Sequence, residues 1–395
     1  MIEEVIQNLY EKRARILDGK TNCIPCPFMR FREVWPGIER KKYYIVTGQQ
    51  KSGKTQFTDY TFLYEPLKYA YRNPDKVRVK IFYFSLEMSA EEKLQQLISH
   101  LLYIKSKGAT VVSPTDLRST REDKPVEKEI LDEISKPEYM NFMQFFEEHV
   151  TIISDIRNPT GIYKFMENYA KNSGTIFKKE LEIVNSSTKE KITQSVFSHY
   201  VPNDEDEYVI CIVDHISLLS QETGLSLHET ISKLSADYFV KLRNYYSFIP
   251  VVVQQQAIAG ESDQNVKDNR LFPTVSNLAE NKLTSRDANS MFGLYSPFRH
   301  NIAKHEGYDI SVFRDNIRFM ELMISRDGGA GSVCPLFFNG AVNYFAEMPR
   351  VDNKQELDKM YKLTDHYRKK IRVNLFNYFL KTKKRNGSIS SNRRP

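Results

Sequence analysis

Residues 48–55, GQQKSGKT, limit what this chain can fold into more than any other stretch of it. They match the pattern GxxxxGK[ST] in full, with the apolar run KKYYIVTG leading into them and a helical pattern after them. Glycines let the backbone wrap around a phosphate, and consecutive N–H groups at the start of a helix point at the anion. The sequence therefore predicts a phosphate-binding loop between a strand and a helix.

This loop predicts roles for individual side chains. We expect Lys54 to reach the β- and γ-phosphates of ATP and Thr55 to place its hydroxyl on Mg²⁺. The residues expected to contact the nucleotide are Gly48, Gln49, Gln50, Lys51, Ser52, Gly53, Lys54 and Thr55. ATP and Mg²⁺ are thus the expected substrate and cofactor.

Short apolar runs alternate with helical patterns along the rest of the chain. Strands are predicted at residues 77–85, 149–156, 208–215, 249–256, 291–296 and 319–326. A hairpin is predicted at 333–348, with Asn339 and Gly340 as its turn. Helices are predicted at residues 1–19, 55–71, 90–105, 160–171, 227–246 and 353–380. The alternation predicts an α/β fold with a mostly parallel central sheet flanked by helices.

The composition predicts a cytoplasmic chain without a membrane span. No run of eighteen apolar residues and no secretory signal is present. The net charge is +7, and the last fifteen residues carry six basic groups and no acidic one, as in a solvated tail or a segment that attracts nucleic acid. Four cysteines do not suggest a disulfide framework, and the pair Cys23 and Cys26 lacks the two further ligands of a zinc site.

Two acidic residues follow apolar strands of the predicted sheet. Asp214 ends YVICIV, where a carboxylate can reach a metal ion outside the carboxyl edge of the sheet; a turn or helix cap is the alternative. Glu87 follows VRVKIFYFS and is a candidate general base for the attacking water; a helix N-terminal acid, favoured by the macrodipole, is the alternative. Together with the loop, Asp214 is predicted to bind Mg²⁺ beside Thr55.

Two further candidate sites lie at strand ends. Gln254, Gln255 and Gln256 follow IPVVV, and one of these amides could hydrogen-bond the γ-phosphate and report its loss to the next loop. Solvation of a strand end is the alternative. Arg326 leaves an apolar strand and enters a glycine-rich turn, where it could complete a neighbouring subunit's ATP site. An ordinary surface arginine is the alternative.

As a set, these segments resemble the C-terminal motor domain of DnaB-type replicative helicases, a branch of the RecA-like ATPases. The string SLEMS at 85–89 is distinctive of that family and places its catalytic base at Glu87. IVDHISLL puts Asp214 on the family's metal-associated Asp, and PVVVQQQ puts Gln256 on its sensor glutamine. ISRDGGAGS puts Arg326 on its arginine finger. The resemblance implies a RecA-like P-loop NTPase core.

The resemblance also divides the chain. It implies a linker helix at residues 1–20, a motor domain at 21–349 with a polar insertion at about 174–207, and a C-terminal helix with a basic tail at 350–395. The family's finger strand carries a Lys two residues before its Arg, where this chain has Ile324, and His215 stands in place of the usual Tyr. Set against the family, we expect this chain to lack the N-terminal domain that contacts primase in the cellular enzymes. These departures suggest a bacteriophage or mobile-element version, acting in a bacterial or phage-infected host cytoplasm.

The function implied by the resemblance is that of a hexameric ring that moves 5′ to 3′ on single-stranded DNA and unwinds duplex during replication. A primase or a helicase loader is the further partner expected. DNA should contact loops 220–227 and 257–272, the second of which contains Lys267 and Arg270. Two alternatives stay open. One is a RecA-like recombinase or other DNA-dependent ATPase that does not unwind DNA. The other is an ATP-gated DNA-binding or scaffold protein with weak hydrolysis, for which Ile324 is the support.

Overall fold

A computed structural model describes residues 2–184, 191–257, 272–362 and 364 of the chain. In these residues the strands are β1 Ile24–Pro25, β2 Gly37–Ile38, β3 Tyr44–Gly48, β4 Arg78–Ser85, β5 Val150–Ile153, β6 Gly174–Val184, β7 Lys191–Pro202, β8 Glu207–Asp214, β9 Ile249–Gln255, β10 Ser290–Tyr295, β11 Lys304–His305, β12 Tyr308–Asp309, β13 Ile317–Ser325, β14 Val333–Asn339 and β15 Tyr344–Glu347.

The helices of the same part of the chain are α1 Ile2–Leu17, α2 Lys54–Thr58, α3 Glu65–Arg72, α4 Ala90–Lys105, α5 Pro114–Leu117, α6 Lys128–Ile134, α7 Pro137–His149, α8 Pro159–Asn172, α9 Leu227–Ser232, α10 Val240–Tyr246, α11 Thr284–Asp287 and α12 Ile310–Phe313. Two π-helical turns join neighbouring helices: Asp59–Tyr64 between α2 and α3, and Lys233–Phe239 between α9 and α10. Residues 354–362 are also helical.

The central sheet of the described chain has nine strands in the order β15-β14-β13-β10-β3-β9-β8-β4-β5. The strands from β10 to β5 pair in parallel. At the other edge, β13, β14 and β15 add antiparallel pairs. The predicted α/β architecture with a mostly parallel sheet is confirmed.

The central strands are apolar along their length because helices cover both faces of the sheet. In β8, Ile210 and Ile212 pack in the core layer that also contains side chains of α3, α4 and α7. The alternate residues Val209, Cys211 and Val213 pack in the layer that contains side chains of α8, α9 and α10. With both faces buried, the ends of the strands are where this sheet can meet a ligand.

The order of the strands creates a crevice at one of those ends. From β3 the chain crosses over β9 and β8 to form β4, whereas β10 lies on the opposite side of β3. In open parallel sheets, ligands bind outside the carboxyl ends of the strands where the strand order reverses in this way. The 48–55 loop leaves β3 at that end, and Asp214 is the last residue of β8.

Several predicted elements are present but less regular than expected. The helices predicted at 55–71 and 227–246 each contain a π-helical turn. The hairpin predicted at 333–348 is formed by β14 and β15, but its connection is longer than Asn339-Gly340. A 3₁₀ turn at Gly340–Val342 and the left-handed residue Asn343 complete it.

The described residues of the polar insertion at 174–207 include two paired strands, β6 and β7. Strands β6 and β7 pair antiparallel from Gly174 opposite Pro202 to the far end of the hairpin. The ring of Tyr200 lies 5.4 Å from that of Tyr246 and 6.4 Å from that of Phe248, which anchors the hairpin on the helical layer. The helix predicted at 353–380 is observed over 354–362; apart from 364, its remainder and the basic tail lie outside the described residues.

Helix α1 presents an apolar side to solvent. Five side chains on that side expose about half of their surface or more: Ile2, Val5, Ile6, Leu9 and Tyr10. The end of α1 is fixed by Arg15, whose guanidinium donates to the Asp206 carboxylate at 2.8 Å. Across the described residues, no helix combines the length and the apolar character needed to span a bilayer.

Candidate active site

The 48–55 loop turns sharply between β3 and α2, and two of its glycines are required by its shape. A Cβ at Gly48 would lie 2.6 Å from both Leu294 O and Ser52 Oγ, so no side chain fits there. Gly53 has a φ of 94°, the left-handed region that glycine adopts without strain. The loop therefore needs glycine at both positions, as the sequence pattern indicates.

Two polar groups of the loop face inward. Lys54 is 6 % exposed, and its ammonium folds back to donate to Gln49 O at 2.8 Å. The hydroxyl of Ser52 is buried, and no hydrogen-bond partner for it occurs in the described chain. A buried hydroxyl without a partner is costly. A phosphate oxygen held by the loop would satisfy it, so the loop fits the predicted ligand.

Two cationic side chains and a histidine from distant segments support the same loop. Arg318 of β13 is almost fully buried and donates from Nε to Ser52 O at 2.8 Å. His300 donates to Gln49 Oε1 at 2.7 Å, and the guanidinium of Arg299 donates to Gln50 O. None of the three was expected from the sequence. An arginine inside the buried strand IRFMELMIS was the one visible signal.

Asp214 lies directly beside the start of α2. Its side chain is fully buried, and Oδ1 accepts a hydrogen bond from Thr55 Oγ1 at 3.1 Å. Oδ2 accepts one from the Tyr83 hydroxyl at 3.2 Å. The structure therefore brings together the two residues that the sequence assigned to Mg²⁺.

The donor set at this point suits a hard cation. A hydroxyl and a carboxylate are oxygen ligands of the kind that Mg²⁺ prefers, and Mg²⁺ usually takes its other ligands from phosphates and water. Within the described residues, no three His, Cys, Asp or Glu side chains form a metal site by themselves. Thr55 and Asp214 thus fit a metal ion that arrives with a nucleotide.

Glu87 lies at the same edge of the sheet. Ser85, the last residue of β4, is the parallel partner of Asp214, and Glu87 follows two residues later with an exposed side chain. Helix α4 is capped by Ser89 and Glu92, which form a reciprocal capping box. Glu87 lies two residues before this cap and takes no part in its hydrogen bonds.

The three glutamines after β9 differ in their surroundings. The Gln254 amide is buried and donates to Ala279 O and Asn281 O, so it stabilises the fold. The Gln255 amide donates to His215 Nε2 at 2.7 Å. Among the three, Gln256 is the glutamine whose side-chain amide donates to a residue of β3 in the described chain.

Gln256 joins the strand before the loop to the segment after 257–272. Its Nε2 donates to Thr47 Oγ1 at 3.0 Å, and its Oε1 accepts from Thr274 N at 3.1 Å. Its own backbone N–H donates to Gly48 O at 3.1 Å. A residue that touches both segments is placed to couple the 48–55 loop to the segment beyond residue 272.

Arg326 lies at the amino ends of the parallel strands, whereas the 48–55 loop lies at their carboxyl ends. It follows Ser325, which pairs with Ser290 at the start of β10, whereas Gly48 pairs with Leu294 near its end. Four residues of strand span about 13 Å. Arg326 Nε donates to Ala288 O at 3.0 Å, so its guanidinium is held on this remote edge.

Arg243 of α10 lies on the same edge as Arg326. It donates to Asp287 O at 2.7 Å and to Asn289 Oδ1 at 3.0 Å, in the segment that also holds Arg326. Burial, and then the charge of Arg326, lower the pKa of its guanidinium from the ordinary value. Ile324 packs its side chain against the core, whereas Arg243 is a further cation at this end of the sheet that no sequence pattern marked.

The two loops expected to contact DNA are described unequally. Loop 220–227 contains no lysine or arginine, and its Glu222 accepts from Thr160 N at 2.7 Å. Residues 258–271 of the second loop lie outside the described residues. Lys267 and Arg270 are among them.

The pair Cys23 and Cys26 is reduced in the structure, and burial raises the pKa of each thiol to about 12. A thiol with so high a pKa is neither a ready metal ligand nor a nucleophile.

Two solved structures share this fold. The structure of an ATPase domain matches with a TM-score of 0.60 and 16 % identity over 88 % of this chain and 99 % of that chain. A DnaB-like replicative helicase, solved in a study of its interactions with primase, matches with a TM-score of 0.58 and 17 % identity over 88 % of this chain and 68 % of that chain. The chain has the fold of a DnaB-type ATPase domain.

The resemblance drawn from the sequence is confirmed at the level of this RecA-like fold. No protein-family model matches the chain, and no curated protein matches it. At 16–17 % identity the two solved structures establish architecture. The chemistry therefore follows from the geometry of the site itself.

Proposed function

We propose that this protein is an ATP-dependent DNA helicase of the DnaB type, which assembles as a hexameric ring, moves 5′ to 3′ on single-stranded DNA and unwinds duplex during replication. One observation carries the proposal: Thr55 Oγ1 and Asp214 Oδ1 lie 3.1 Å apart at the mouth of the 48–55 loop, at the carboxyl edge of the sheet. In a fold shared with DnaB-type ATPase domains, that arrangement supports a Mg²⁺-dependent triphosphate site.

Nucleotide binding is assigned to the loop and the residues that support it. The loop amides surround the β-phosphate at the start of α2, and Lys54 moves from Gln49 O to the phosphates. Thr55 and Asp214 would hold Mg²⁺, which would supply positive charge beside the phosphates of the nucleotide. Arg318 keeps the loop backbone in place from beneath.

Hydrolysis is assigned to Glu87. Its exposed carboxylate follows the strand paired with Asp214, so it lies on the side of the site that water can reach. There it orients the attacking water and accepts its proton as the bond to the γ-phosphorus forms and the bond to the bridging oxygen breaks.

The ATP site is completed by a second copy of the chain. Arg326 lies at the edge opposite its own loop, where it can reach only the site of a neighbour and stabilise charge that develops during transfer. The exposed apolar side of α1 supports the same assembly, because docking onto the next subunit would bury it. Repetition of this head-to-tail contact closes a ring.

Coupling to DNA is assigned to Gln256. Its contacts with Thr47 and Thr274 link the strand before the 48–55 loop to the end of loop 257–272. Loss of the γ-phosphate would shift this link and change the grip of loop 257–272, with Lys267 and Arg270, on one DNA strand. A primase or loader is proposed as a further partner, since one of the two similar solved structures is a helicase that interacts with primase.

The proposal is tested by strand separation on a forked DNA duplex with ATP and Mg²⁺. We expect displacement of one strand, and none with Lys54→Ala, which removes the phosphate-binding ammonium. Hydrolysis stimulated by DNA without strand displacement would instead support the recombinase-like alternative. DNA binding with no stimulated hydrolysis would support the ATP-gated scaffold.

A further inference from the structure

A second polar cluster is buried behind Asp214. It consists of Lys93 of α4, Asp59 of the π-helical turn and Tyr83 of β4. The side chain of Lys93 is 1 % exposed, and Asp59 and Tyr83 are fully buried. Buried charges are rare unless they are paired. None of the three has a place in the chemistry proposed above.

The cluster is connected by short hydrogen bonds. Lys93 Nζ donates to the two carboxylate oxygens of Asp59 at 3.0 and 2.9 Å and to the Tyr83 hydroxyl at 2.8 Å. The Tyr83 hydroxyl lies 2.8 Å from Asp59 Oδ1 and 3.2 Å from Asp214 Oδ2. The hydroxyl is therefore the link between the Lys93–Asp59 ion pair and Asp214.

The charges of the cluster are arranged around that link. Asp59 and Asp214 are two fully buried carboxylates, and Lys93 Nζ lies 2.9 Å from the nearer oxygen of Asp59 but 3.9 Å from Asp214 Oδ2. The ammonium thus pairs more closely with Asp59 than with Asp214. The other oxygen of Asp214, Oδ1, faces Thr55.

The cluster also frames the turn that carries Glu87. Tyr83 precedes that turn on β4, and Lys93 follows it on α4. Asp59 opens the π-helical turn that continues the helix of the 48–55 loop. Turns of this kind occur often at functional sites.

We propose that Lys93 and Asp59 are positioning residues that hold the Tyr83 hydroxyl on Asp214 Oδ2, so that Oδ1 is presented to Mg²⁺ together with Thr55. The inference rests on the proposed function, because it assumes that Thr55 and Asp214 bind the metal of a nucleotide complex. Hydrogen-bond partners of metal-binding carboxylates commonly set metal affinity.

The test is the Mg²⁺ dependence of nucleotide binding by Tyr83→Phe, which removes one hydroxyl and keeps the ring. Binding of a fluorescent ATP analogue is followed as Mg²⁺ is raised, and separately in EDTA. We expect the Mg²⁺ concentration for half-maximal binding to rise about ten-fold. Binding in EDTA should equal that of the wild type, because the loop is untouched.

Tyr208→Phe is the matched control. Tyr208 is a fully buried tyrosine at the opposite end of β8, and its hydroxyl donates to Thr21 O at 3.4 Å. It should show the wild-type Mg²⁺ dependence. The double variant Lys93→Met with Asp59→Leu replaces the ion pair by apolar side chains and should reproduce the Tyr83→Phe shift.

The possible outcomes distinguish a failure of this inference from a failure of the proposed function. If Tyr83→Phe lowers the melting temperature but keeps the wild-type Mg²⁺ dependence, the cluster is only structural and the inference is wrong. If the wild type itself binds the analogue with no dependence on Mg²⁺, the assignment of Thr55 and Asp214 fails first.

Discussion

At the scale of single residues, the two acidic groups of the site have opposite surroundings. Asp214 is fully buried and accepts hydrogen bonds from Thr55 and Tyr83, whereas Glu87 is exposed in the turn after β4. A buried carboxylate with fixed partners suits a metal ligand. An exposed carboxylate suits a base that must reach water and return its proton to solvent.

Glu87→Gln tests this division of roles. Glutamine keeps the size of the side chain but accepts no proton, so phosphate release should fall by about 10²- to 10⁴-fold while ATP binding is retained. The measurement is phosphate release beside equilibrium binding of a labelled nucleotide. Glu91→Gln, an equally exposed change at the start of α4, should behave as the wild type. Turnover retained by Glu87→Gln would remove the base from this position.

The residues of the site were predictable where a local pattern marks them. The 48–55 loop, Asp214 and Glu87 stand directly after strands, and parallel strands end at one edge, so their proximity followed from the sequence. Arg318 and His300 could not be assigned, because their contacts with the loop join segments about 250 residues away. Only the order of strands in the folded sheet decides such pairs.

At the scale of elements, the helix after the loop shows what periodicity cannot reveal. A regular helix was expected over residues 55–71, but a π-helical turn at Asp59–Tyr64 interrupts it. The turn places Tyr64 in a stack on His100 of α4, with ring centroids 4.7 Å apart. The apolar pattern indicated the buried face but not the local winding of the helix.

His100 gives this packing a dependence on pH. Burial lowers the pKa of the imidazole from 6.5 to about 3, while Nδ1 donates to Val342 O. As the pH falls below 6.5 the unfolded chain takes up a proton that the folded chain does not bind, so stability is lost. From pH 7 to pH 5 the loss due to this group is about 2 kcal/mol.

Denaturant unfolding at several pH values checks that expectation. His100→Asn keeps a donor for Val342 O but does not titrate, so its free energy of unfolding should fall less between pH 7 and pH 5 than that of the wild type. An equal fall in both proteins would show that His100 does not cause it.

The apolar side of helix α1 is exposed to solvent, and no other described segment packs against it. Leu9→Glu places a charge in the middle of that side and should weaken ring assembly in sedimentation velocity with a non-hydrolysable ATP analogue. Because the site is exposed, the free energy of unfolding should change by less than about 0.5 kcal/mol. Asn8→Glu adds the same charge on the polar side of the helix and should leave assembly intact. Assembly unchanged by Leu9→Glu would contradict docking through α1.

At the scale of the whole molecule, the sheet separates the two halves of one catalytic site. The 48–55 loop and Asp214 lie at the carboxyl edge of the parallel strands, and Arg326 and Arg243 lie at the amino edge. The fold class and the parallel core followed from the alternation of strands and helices. The hairpin of β14 and β15 was also predicted, but the antiparallel pairing of β13 with β10 and β14 was not, and no turn signal marked the hairpin of β6 and β7.

This separation yields the most direct test of the shared site, the mixing of two inactive proteins. Glu87→Gln lacks the base and Arg326→Ala lacks the neighbour's cation, so neither should release phosphate alone. In equal mixtures that exchange subunits, about a quarter of the interfaces would unite an intact Glu87 with an intact Arg326. We predict that DNA-stimulated phosphate release returns on mixing. Mixed rings that stay as inactive as their parents would contradict an ATP site shared between two copies of the chain.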